Sequence, residues 1–330
     1  MVVGTIATRP LVSVVLPTHD RAKTLPRAIA SVLDQSLSDF ELIVVDDRST
    51  DETGAVLRRY ADPRLRVMSV GDAGSLRGGC AAARNAGIRA SRGAYVAFQD
   101  SDDEWRRDKL ERAVAMLEGT AAETGVFYSD MLRVEMNGSR RELCAPEVSP
   151  GVLVDDATLD YQVLGIGVQS AVIKRACFER LGLFDEALPR FVDLDLFIRF
   201  GDRFRFVHAA EPLVTYHAGP GISTNAEARV AARRYLLAKY RRRLAPPAHH
   251  LAGQYLCLAV ALDEAGCKLQ GCALALRALA AAPRHPRIRR EVAALLHARG
   301  PGWHWLAHHP RTRRAGRRVR ALWPARRFSP

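Results

Sequence analysis

The sequence predicts an α/β fold with a mostly parallel sheet, followed by a helical C-terminal extension. Short β-branched runs alternate with segments of helical periodicity through the first 100 residues, which is the pattern of βαβ units. After Pro246 and Pro247 the pattern becomes helical throughout. The 330 residues are 48% hydrophobic and 26% charged, so the chain can bury a sizeable core and is not a disordered protein.

The first elements alternate strand and helix. V-S-V-V-L-P at 12–17 is a β-branched run that a proline ends, which is typical of a buried parallel strand. Residues 24–35 carry apolar side chains at helical spacing. E-L-I-V-V-D-D at 41–47 predicts the second strand, residues 55–60 a short helix, and residues 65–70 the third strand.

The next elements extend the sheet. Small residues at 78–90 predict a helix, and A-Y-V-A-F-Q at 94–99 predicts the fourth strand. Short apolar runs and helical spacing then predict two strands and two helices, at 126–129, 168–173, 176–181 and 193–203. Acids begin the last of these helices, where they favour the positive end of its dipole. Beyond the proline pair, amphipathic spacing predicts three helices, at 251–266, 268–282 and 288–299.

Polar clusters follow three of the predicted strands. They are T-H-D at 18–20, D-D at 46–47 and D-S-D-D at 100–103. Open α/β sheets bind ligands at the carboxyl ends of their strands, so these clusters mark the candidate site.

Asp100 and Asp102 are one residue apart at a strand end, where two carboxylates can share a divalent cation. Hard oxygen ligands suit Mg²⁺ or Mn²⁺, which usually also hold substrate phosphates. The alternative is that Asp102 or Asp103 caps the following helix.

Three other features at matching strand ends support a ligand site. A carboxylate of Asp46 or Asp47 can accept from the imide N–H of uracil or from a ribose hydroxyl, although this segment also reads as a turn. Arg77 precedes a glycine pair that opens a helix, and helix N-termini favour anions. Thr18 and its neighbours end the first strand with polar groups that could equally be loop decoration.

Seven segments resemble the family 2 glycosyltransferases, an inverting group with the nucleotide-binding GT-A fold, of the type that builds bacterial cell-surface polysaccharides. Their order and spacing match across about residues 11–240. The segments are V-S-V-V-L-P-T-H-D-R at 12–21, E-L-I-V-V-D-D-R-S-T-D at 41–51, G-G-C-A-A-A-R-N-A-G-I at 78–88, A-F-Q-D-S-D-D-E-W at 97–105, R-A-C-F-E-R-L-G-L-F-D-E at 175–186, V-D-L-D-L-F-I-R at 192–199 and T-Y-H-A-G-P-G-I-S at 215–223.

The resemblance implies a role for each matching residue and a nucleotide-sugar donor, UDP-linked in our interpretation. Asp102 would bind a Mn²⁺ or Mg²⁺ ion that bridges the diphosphate, and His217 would approach that metal or the diphosphate. The nucleotide-sugar contacts would come from Thr18 and Asp47 at the base with Asp46 close by, Arg77 near the base or phosphates, and Asp100 at the ribose.

The resemblance also implies a catalytic base. Inverting transfer needs one carboxylate to deprotonate the acceptor hydroxyl. Relatives usually supply it as the Asp of an E-D pair ahead of a D-L-W-x-R helix, which places Asp193 in that position here. Val192 replaces the Glu of the pair, and Asp195 is the competing candidate. Two neighbours of the metal segment are expected to be structural, with Trp105 in the core and Lys109 in solvent.

These segments set the expected domains. Residues 1–243 would form the GT-A catalytic domain, 244–300 a helical extension and 301–330 a poorly ordered tail. The net charge of +13 lies in the C-terminal part, because residues 241–330 hold 18 basic and 3 acidic residues. Six arginines at 311–320 could contact an anionic membrane surface or be a solvated end. Nucleic acid is a weaker candidate, since no binding motif accompanies the arginines.

The expected partners are therefore a UDP-sugar and a saccharide or lipid-linked saccharide acceptor. No apolar run is long enough for a membrane span and the N-terminus does not read as a signal peptide, so we expect a cytoplasmic enzyme, with peripheral contact at the inner face of the membrane as an option. The alternative is a catalytically degenerate module that binds a nucleotide, or acts through the arginine tail, without turnover.

Overall fold

A computed structural model describes residues 9–71, 78–219 and 225–297. The strands are β1 (Val12–Thr18), β2 (Phe40–Asp46), β3 (Leu65–Ser69), β4 (Tyr95–Phe98), β5 (Glu104–Trp105), β6 (Thr124–Val134), β7 (Arg140–Leu143), β8 (Val172–Lys174) and β9 (Arg205–His217). The helices are α1 (Leu25–Leu33), α2 (Thr53–Leu57), α3 (Cys80–Ala90), α4 (Lys109–Glu118), α5 (Arg175–Leu181), α6 (Val192–Gly201), α7 (Ala226–Leu244), α8 (Ala248–Glu264), α9 (Lys268–Ala281) and α10 (Pro286–His297).

The strands form one sheet in the order β3-β2-β1-β4-β8-β6-β9-β5, with β7 paired to β6. The first four strands are parallel, as predicted, and Thr18 of β1 pairs with Asp46 of β2. From β8 onward the sheet is mixed, because β8 runs antiparallel to both β4 and β6 while β6 and β9 are parallel. Parallel strands buried on both faces favour apolar β-branched residues, which explains the runs in the sequence.

Side chains from both faces of the sheet build the core of the first unit. Every residue of β1 is buried, and Leu25, Ile29 and Val32 of α1 pack on that face. On the other face, Gly87 lets α3 lie directly against Val15, since a Cβ at position 87 would overlap that side chain. This close approach places the start of α3 beside the ends of β1 and β2.

The chain divides into two compact units. The first comprises residues 1–150, 166–186 and 199–219, and holds the sheet. The second comprises residues 151–165, 187–198 and 220–330. The predicted domain limits at 243 and 300 stay a prediction, and the predicted tail at 301–330 lies outside the described residues.

The second unit is helical. Asn225 caps α7 by accepting a hydrogen bond from the backbone N–H of Ala228 at 2.9 Å. Leu159 packs with Ala252 and Leu256 of α8 in an apolar cluster that α9 and α10 complete. Within the described ranges, no helix is both long enough and apolar enough to cross a membrane.

Two local expectations differ from the structure, and some elements had no prediction. Residues 168–170 form a 3-10 helix ahead of β8, so the apolar run at 168–173 is a strand only in part. The strand β9 and the helix α7 were not predicted, because their apolar spacing is weak. The prediction that Lys109 is solvated is wrong: the side chain is fully buried, with Nζ 3.8 Å from the ring centroid of Trp105, which is buried as expected.

Candidate active site

The carboxyl ends of β1 and β2 present two buried polar groups side by side. The hydroxyl of Thr18 is buried and has no hydrogen-bond partner among the described residues. The backbone N–H of Asp47 donates to the carbonyl of Thr18 at 2.8 Å, which fixes Asp47 against the end of β1. Its Oδ1 atom is likewise buried without a hydrogen bond in the described part of the chain. Buried polar atoms are nearly always hydrogen-bonded, which makes these two atoms candidates for ligand contacts.

The two acids that end β2 have different surroundings. The carboxylate of Asp46 turns back to its own loop, where Oδ1 accepts from the backbone N–H and hydroxyl of Ser49 at 3.1 and 2.6 Å. Asp47 accepts a short hydrogen bond from the N–H of Gly79, and its Oδ1 lies 3.5 Å from Nε of Arg48. Asp46 therefore shapes the turn, while Asp47 faces the start of α3.

Gly78 is required where the chain enters α3. A Cβ at this position would lie 2.8 Å from Oδ1 of Asp47 and 2.8 Å from Nη2 of Arg48. Any larger residue would displace the carboxylate. Gly79 follows with a φ of 113°, a conformation that favours glycine. The glycine pair thus serves the carboxylate geometry, and the predicted contact residue Arg77 lies just outside the described residues.

Asp100, after β4, is held by an arginine that sequence reasoning did not assign. Nη2 of Arg84 donates to Oδ1 of Asp100 at 2.6 Å, and the arginine side chain is only 7% exposed. Its guanidinium also lies 5.6 Å from the ring centroid of Phe184. The next residue on α3, Asn85, holds the 184–186 turn through hydrogen bonds with the backbone of Phe184. The A-R-N triplet in the 78–88 segment was the sequence signal that could have identified Arg84 and Asn85 as site residues.

Asp102 is the more accessible acid of the D-S-D segment. Its side chain is 40% exposed, and Nε of Arg21 lies 3.7 Å from Oδ2. Arg27 fixes the backbone here by donating to the carbonyl of Asp102 at 2.6 Å. Burial of the carboxyl group, reinforced by the negative charge of Asp100, raises the pKa of Asp102 above its ordinary value.

Asp103 and His217 connect this segment to β9. The buried carboxylate of Asp103 accepts from the backbone N–H of His217 at 2.9 Å. Burial and the charges of Asp100 and Asp102 raise the pKa of Asp103 well above its usual range. Nε2 of His217 lies 2.7 Å from Oε1 of Glu104. The structure thus places His217 beside the D-S-D segment, with one ring nitrogen engaged by Glu104.

The acids after β4 suit a hard divalent cation. Three carboxyl groups follow one another in four residues, and their repulsion and burial raise the pKa values of two of them. A divalent cation would offset that crowding of negative charge, and oxygen donors are the ligands that Mg²⁺ and Mn²⁺ prefer. Asp102, half exposed, is the acid best placed to be a ligand.

The candidate base lies in the second unit, early in α6. Asp193 is partly exposed, and its Oδ1 accepts from the N–H of Leu194 at 2.9 Å. Asp195 is fully buried, and its Oδ1 lies 2.7 Å from both the hydroxyl of Tyr240 and Nζ of Lys239. Asp195 therefore ties α6 to α7, and Asp193 is the more accessible of the two acids.

The fold and this strand-end site define the class of protein. The GT-A fold is shared with solved structures, which confirms the predicted fold class. S. aureus TarS 1-349 in complex with UDP-GlcNAc is 20% identical, with a TM-score of 0.57 over 87% of both chains. The mannosyltransferase PcManGT from Pyrobaculum calidifontis, in complex with GDP-Man and Mn²⁺, is 22% identical, with a TM-score of 0.52 over 96% of this chain and 86% of that one.

Sequence comparisons give the family. The family model for glycosyl transferase family 2 matches residues 13–151. The amylovoran biosynthesis glycosyltransferase AmsB of Erwinia amylovora is 32% identical over 62% of this chain and 69% of its own length. This chain belongs to glycosyltransferase family 2, as its motifs indicated.

Two further relatives match over a smaller share of their length. The putative teichuronic acid biosynthesis glycosyltransferase TuaG of Bacillus subtilis is 40% identical over 37% of this chain and 48% of its own. WfgD of Escherichia coli, a UDP-Glc:alpha-D-GlcNAc-diphosphoundecaprenol beta-1,3-glucosyltransferase, is 35% identical over 32% of this chain and 41% of its own. The chain thus spans about half the length of these two relatives.

Proposed function

We propose that this chain is a metal-dependent, inverting glycosyltransferase that moves a sugar from a UDP-sugar to a saccharide or lipid-linked saccharide acceptor. The observation that carries the proposal is a pair of buried polar atoms at the ends of β1 and β2 that make no hydrogen bond within the described residues. The hydroxyl of Thr18 and Oδ1 of Asp47 have no hydrogen-bond partner among the described residues, and Asp47 lies beside the start of α3. A uracil ring offers the imide N–H donor that such a carboxylate needs.

The remaining strand-end residues suit the rest of the donor. Asp100, oriented by Arg84, would accept from the ribose hydroxyls, and its fixed position limits the entropy lost on binding. Asp46 would act indirectly, because it holds the turn that carries Asp47. On the family pattern alone, Arg77 would contact the nucleobase or the phosphates of the donor.

Asp102 would hold the Mn²⁺ or Mg²⁺ ion, whose charge would stabilise the departing diphosphate. His217 would support this position through the N–H that it donates to Asp103. With Nε2 engaged by Glu104, Nδ1 is the ring atom left for a metal or phosphate contact. The hard oxygen donors of this segment and the Mn²⁺ bound by PcManGT both support a divalent cation.

Asp193 would be the catalytic base, taking the proton from the acceptor hydroxyl as that oxygen attacks the sugar. Its partial exposure supports this role over Asp195, which already accepts from Tyr240 and pairs with Lys239. Because Asp195 is fully buried, an acceptor hydroxyl could not reach its carboxylate without displacing these contacts.

The acceptor class rests on relatives. WfgD acts on a sugar linked to diphosphoundecaprenol, and AmsB and TuaG are named for polysaccharide biosynthesis. We propose the same class here, with a cytoplasmic location and contact of the basic C-terminal residues with anionic lipid headgroups. The alternative, a degenerate binding module without turnover, is disfavoured because Asp102 and Asp193 are both present.

Calorimetry with UDP, GDP, CMP and TDP, each with and without Mn²⁺, tests the proposal. We expect UDP to bind most tightly and only when Mn²⁺ is present. Asp102→Asn should abolish the metal dependence and the turnover, whereas Asp39→Asn, at an exposed acid ahead of β2, should change neither.

A preference for GDP would contradict the assigned contact of Asp47 with uracil. Binding of none of the four nucleotides would contradict the enzyme as proposed and favour the degenerate module. Undiminished transfer by the Asp102→Asn variant would contradict the metal ligand.

A further inference from the structure

Three side chains in the second unit converge on one point, far along the chain from the strand-end acids. Nε2 of His249 lies 3.0 Å from Oδ1 of Asp156, and Nε2 of His250 lies 2.7 Å from the same oxygen. Their ligand atoms all fall within 4.8 Å of one another. Nothing in the proposed sugar transfer uses this group.

The donor set is that of a transition-metal site. Two imidazoles and a carboxylate suit Zn²⁺ and its neighbours, whereas Mg²⁺ and Mn²⁺ prefer all-oxygen sets such as the one after β4. Bond lengths of about 2.1 Å in a tetrahedral site put ligand atoms about 3.4 Å apart. Asp156 would therefore move back by about 0.5 Å, and its side chain, 77% exposed, is free to do so.

Both sides of the cluster are held in place by other contacts. His249 and His250 lie in the first turn of α8, and the ring of His285 stacks on His249 with centroids 5.1 Å apart. On the other side, Oδ1 of Asp155 accepts from the N–H of Thr158 at 2.6 Å, which fixes the turn beside Asp156. The ligands therefore start from positions near those that a metal requires, and little order is lost on binding.

We propose that Asp156, His249 and His250 form a second metal site that binds Zn²⁺ or a similar divalent transition metal. The ion would replace two hydrogen bonds to one carboxylate oxygen by three coordination bonds. It would join residues 151–165 to the start of α8, which is a structural role separate from sugar transfer.

The test uses the full chain, stripped of metal, with Asp102→Asn introduced to remove the ligand proposed for the other site. Zn²⁺ binding is measured by calorimetry, and Co²⁺ substitution is followed by visible absorption, which reports imidazole ligands in tetrahedral geometry. We expect one equivalent of Zn²⁺ to bind and to raise the thermal midpoint, with Mg²⁺ doing neither.

The double substitution His249→Gln and His250→Gln should remove this equivalent. The matched control is His308→Gln with His309→Gln, the other adjacent histidine pair, which should keep it. Asp156→Asn, at an exposed side chain where misfolding is not expected, should weaken the affinity by about tenfold or more.

Three results would overturn the proposed site. The first is that the protein with His249 and His250 intact binds no Zn²⁺, and the second is that the His249 and His250 variant still binds one equivalent of Zn²⁺. The third is that only the control variant loses the bound Zn²⁺. Because no readout depends on turnover, the result is independent of whether the proposed sugar transfer is correct.

Discussion

Replacing the buried lysine at the start of α4 tests how the segment after the D-S-D acids is built. Lys109 is fully buried, and its Nζ has no hydrogen-bond partner in the described part of the chain. Burial lowers the pKa of Lys109 to about 7, and its Nζ lies 3.8 Å from the ring centroid of Trp105. Met has a similar length and no charge, so Lys109→Met keeps the packing.

The magnitude follows from the pKa. In the unfolded chain the lysine titrates near 10.5, so between pH 7 and that value the unfolded state binds a proton that the folded state lacks. Wild-type stability therefore rises with pH across this window, by about 1.4 kcal/mol per pH unit. At pH 7 the folded lysine is half protonated, and the penalty is about 4 kcal/mol. We expect Lys109→Met to be about 4 kcal/mol more stable than wild type at pH 7.

Urea unfolding at pH 7, 8 and 9 measures the difference. The advantage of Lys109→Met should shrink by about 2 to 3 kcal/mol between pH 7 and 9, because only the wild type gains stability. Lys23→Met, at an exposed lysine ahead of α1, should match the wild type at each pH. A difference that stays constant from pH 7 to 9 would refute the reasoning, since it would mean that Lys109 keeps its ordinary pKa in the folded state.

Two further predictions concern the candidate site. Asp193→Asn should lower kcat by about 10²- to 10⁴-fold with an unchanged unfolding midpoint. Asp195→Asn should instead lower the free energy of unfolding by about 1 to 3 kcal/mol, because Lys239 would lose the negative charge of Asp195. Turnover and urea unfolding of the same preparations check both variants, and full activity of Asp193→Asn would exclude Asp193 as the base. Gly78→Ala should weaken nucleotide binding by about tenfold, because its Cβ would lie 2.8 Å from Oδ1 of Asp47; calorimetry checks this, and an unchanged Kd would argue against a role for that carboxylate.

The clustering of the strand-end residues was predictable from the sequence. Apolar runs that end in acids fix where strands stop, and parallel neighbours end at one edge, so Thr18, Asp47 and Asp100 had to lie near each other. The observed strands β1 and β2 start and end within one residue of the predicted ranges.

The partners of these residues were not predictable. Arg84 reaches Asp100 only because α3 packs closely on the sheet, and that depth depends on Gly87 and Val15. Lys109 reads as a surface residue from its type, and tertiary packing alone buries it.

Long-range pairing also hides β9 in the sequence. Its pattern is broken at Pro212, which pairs with Asp130 where the β6 register shifts. The proline divides the apolar residues of β9 into two short runs, so neither run alone indicates a strand of thirteen residues.

The buried ion pair between residues 151–165 and α7 limits how the chain could be recombined. The two terminal guanidinium nitrogens of Arg233, Nη1 and Nη2, donate to the carboxylate of Asp160 at 2.6 and 2.7 Å. The side-chain amide of Gln254 in α8 donates to the same carboxylate. An uncompensated charge there would be costly, because both side chains are about nine-tenths buried. A chimaera that takes its helices from one parent must therefore inherit residues 151–165 from that parent too, although they lie more than sixty positions earlier in the gene.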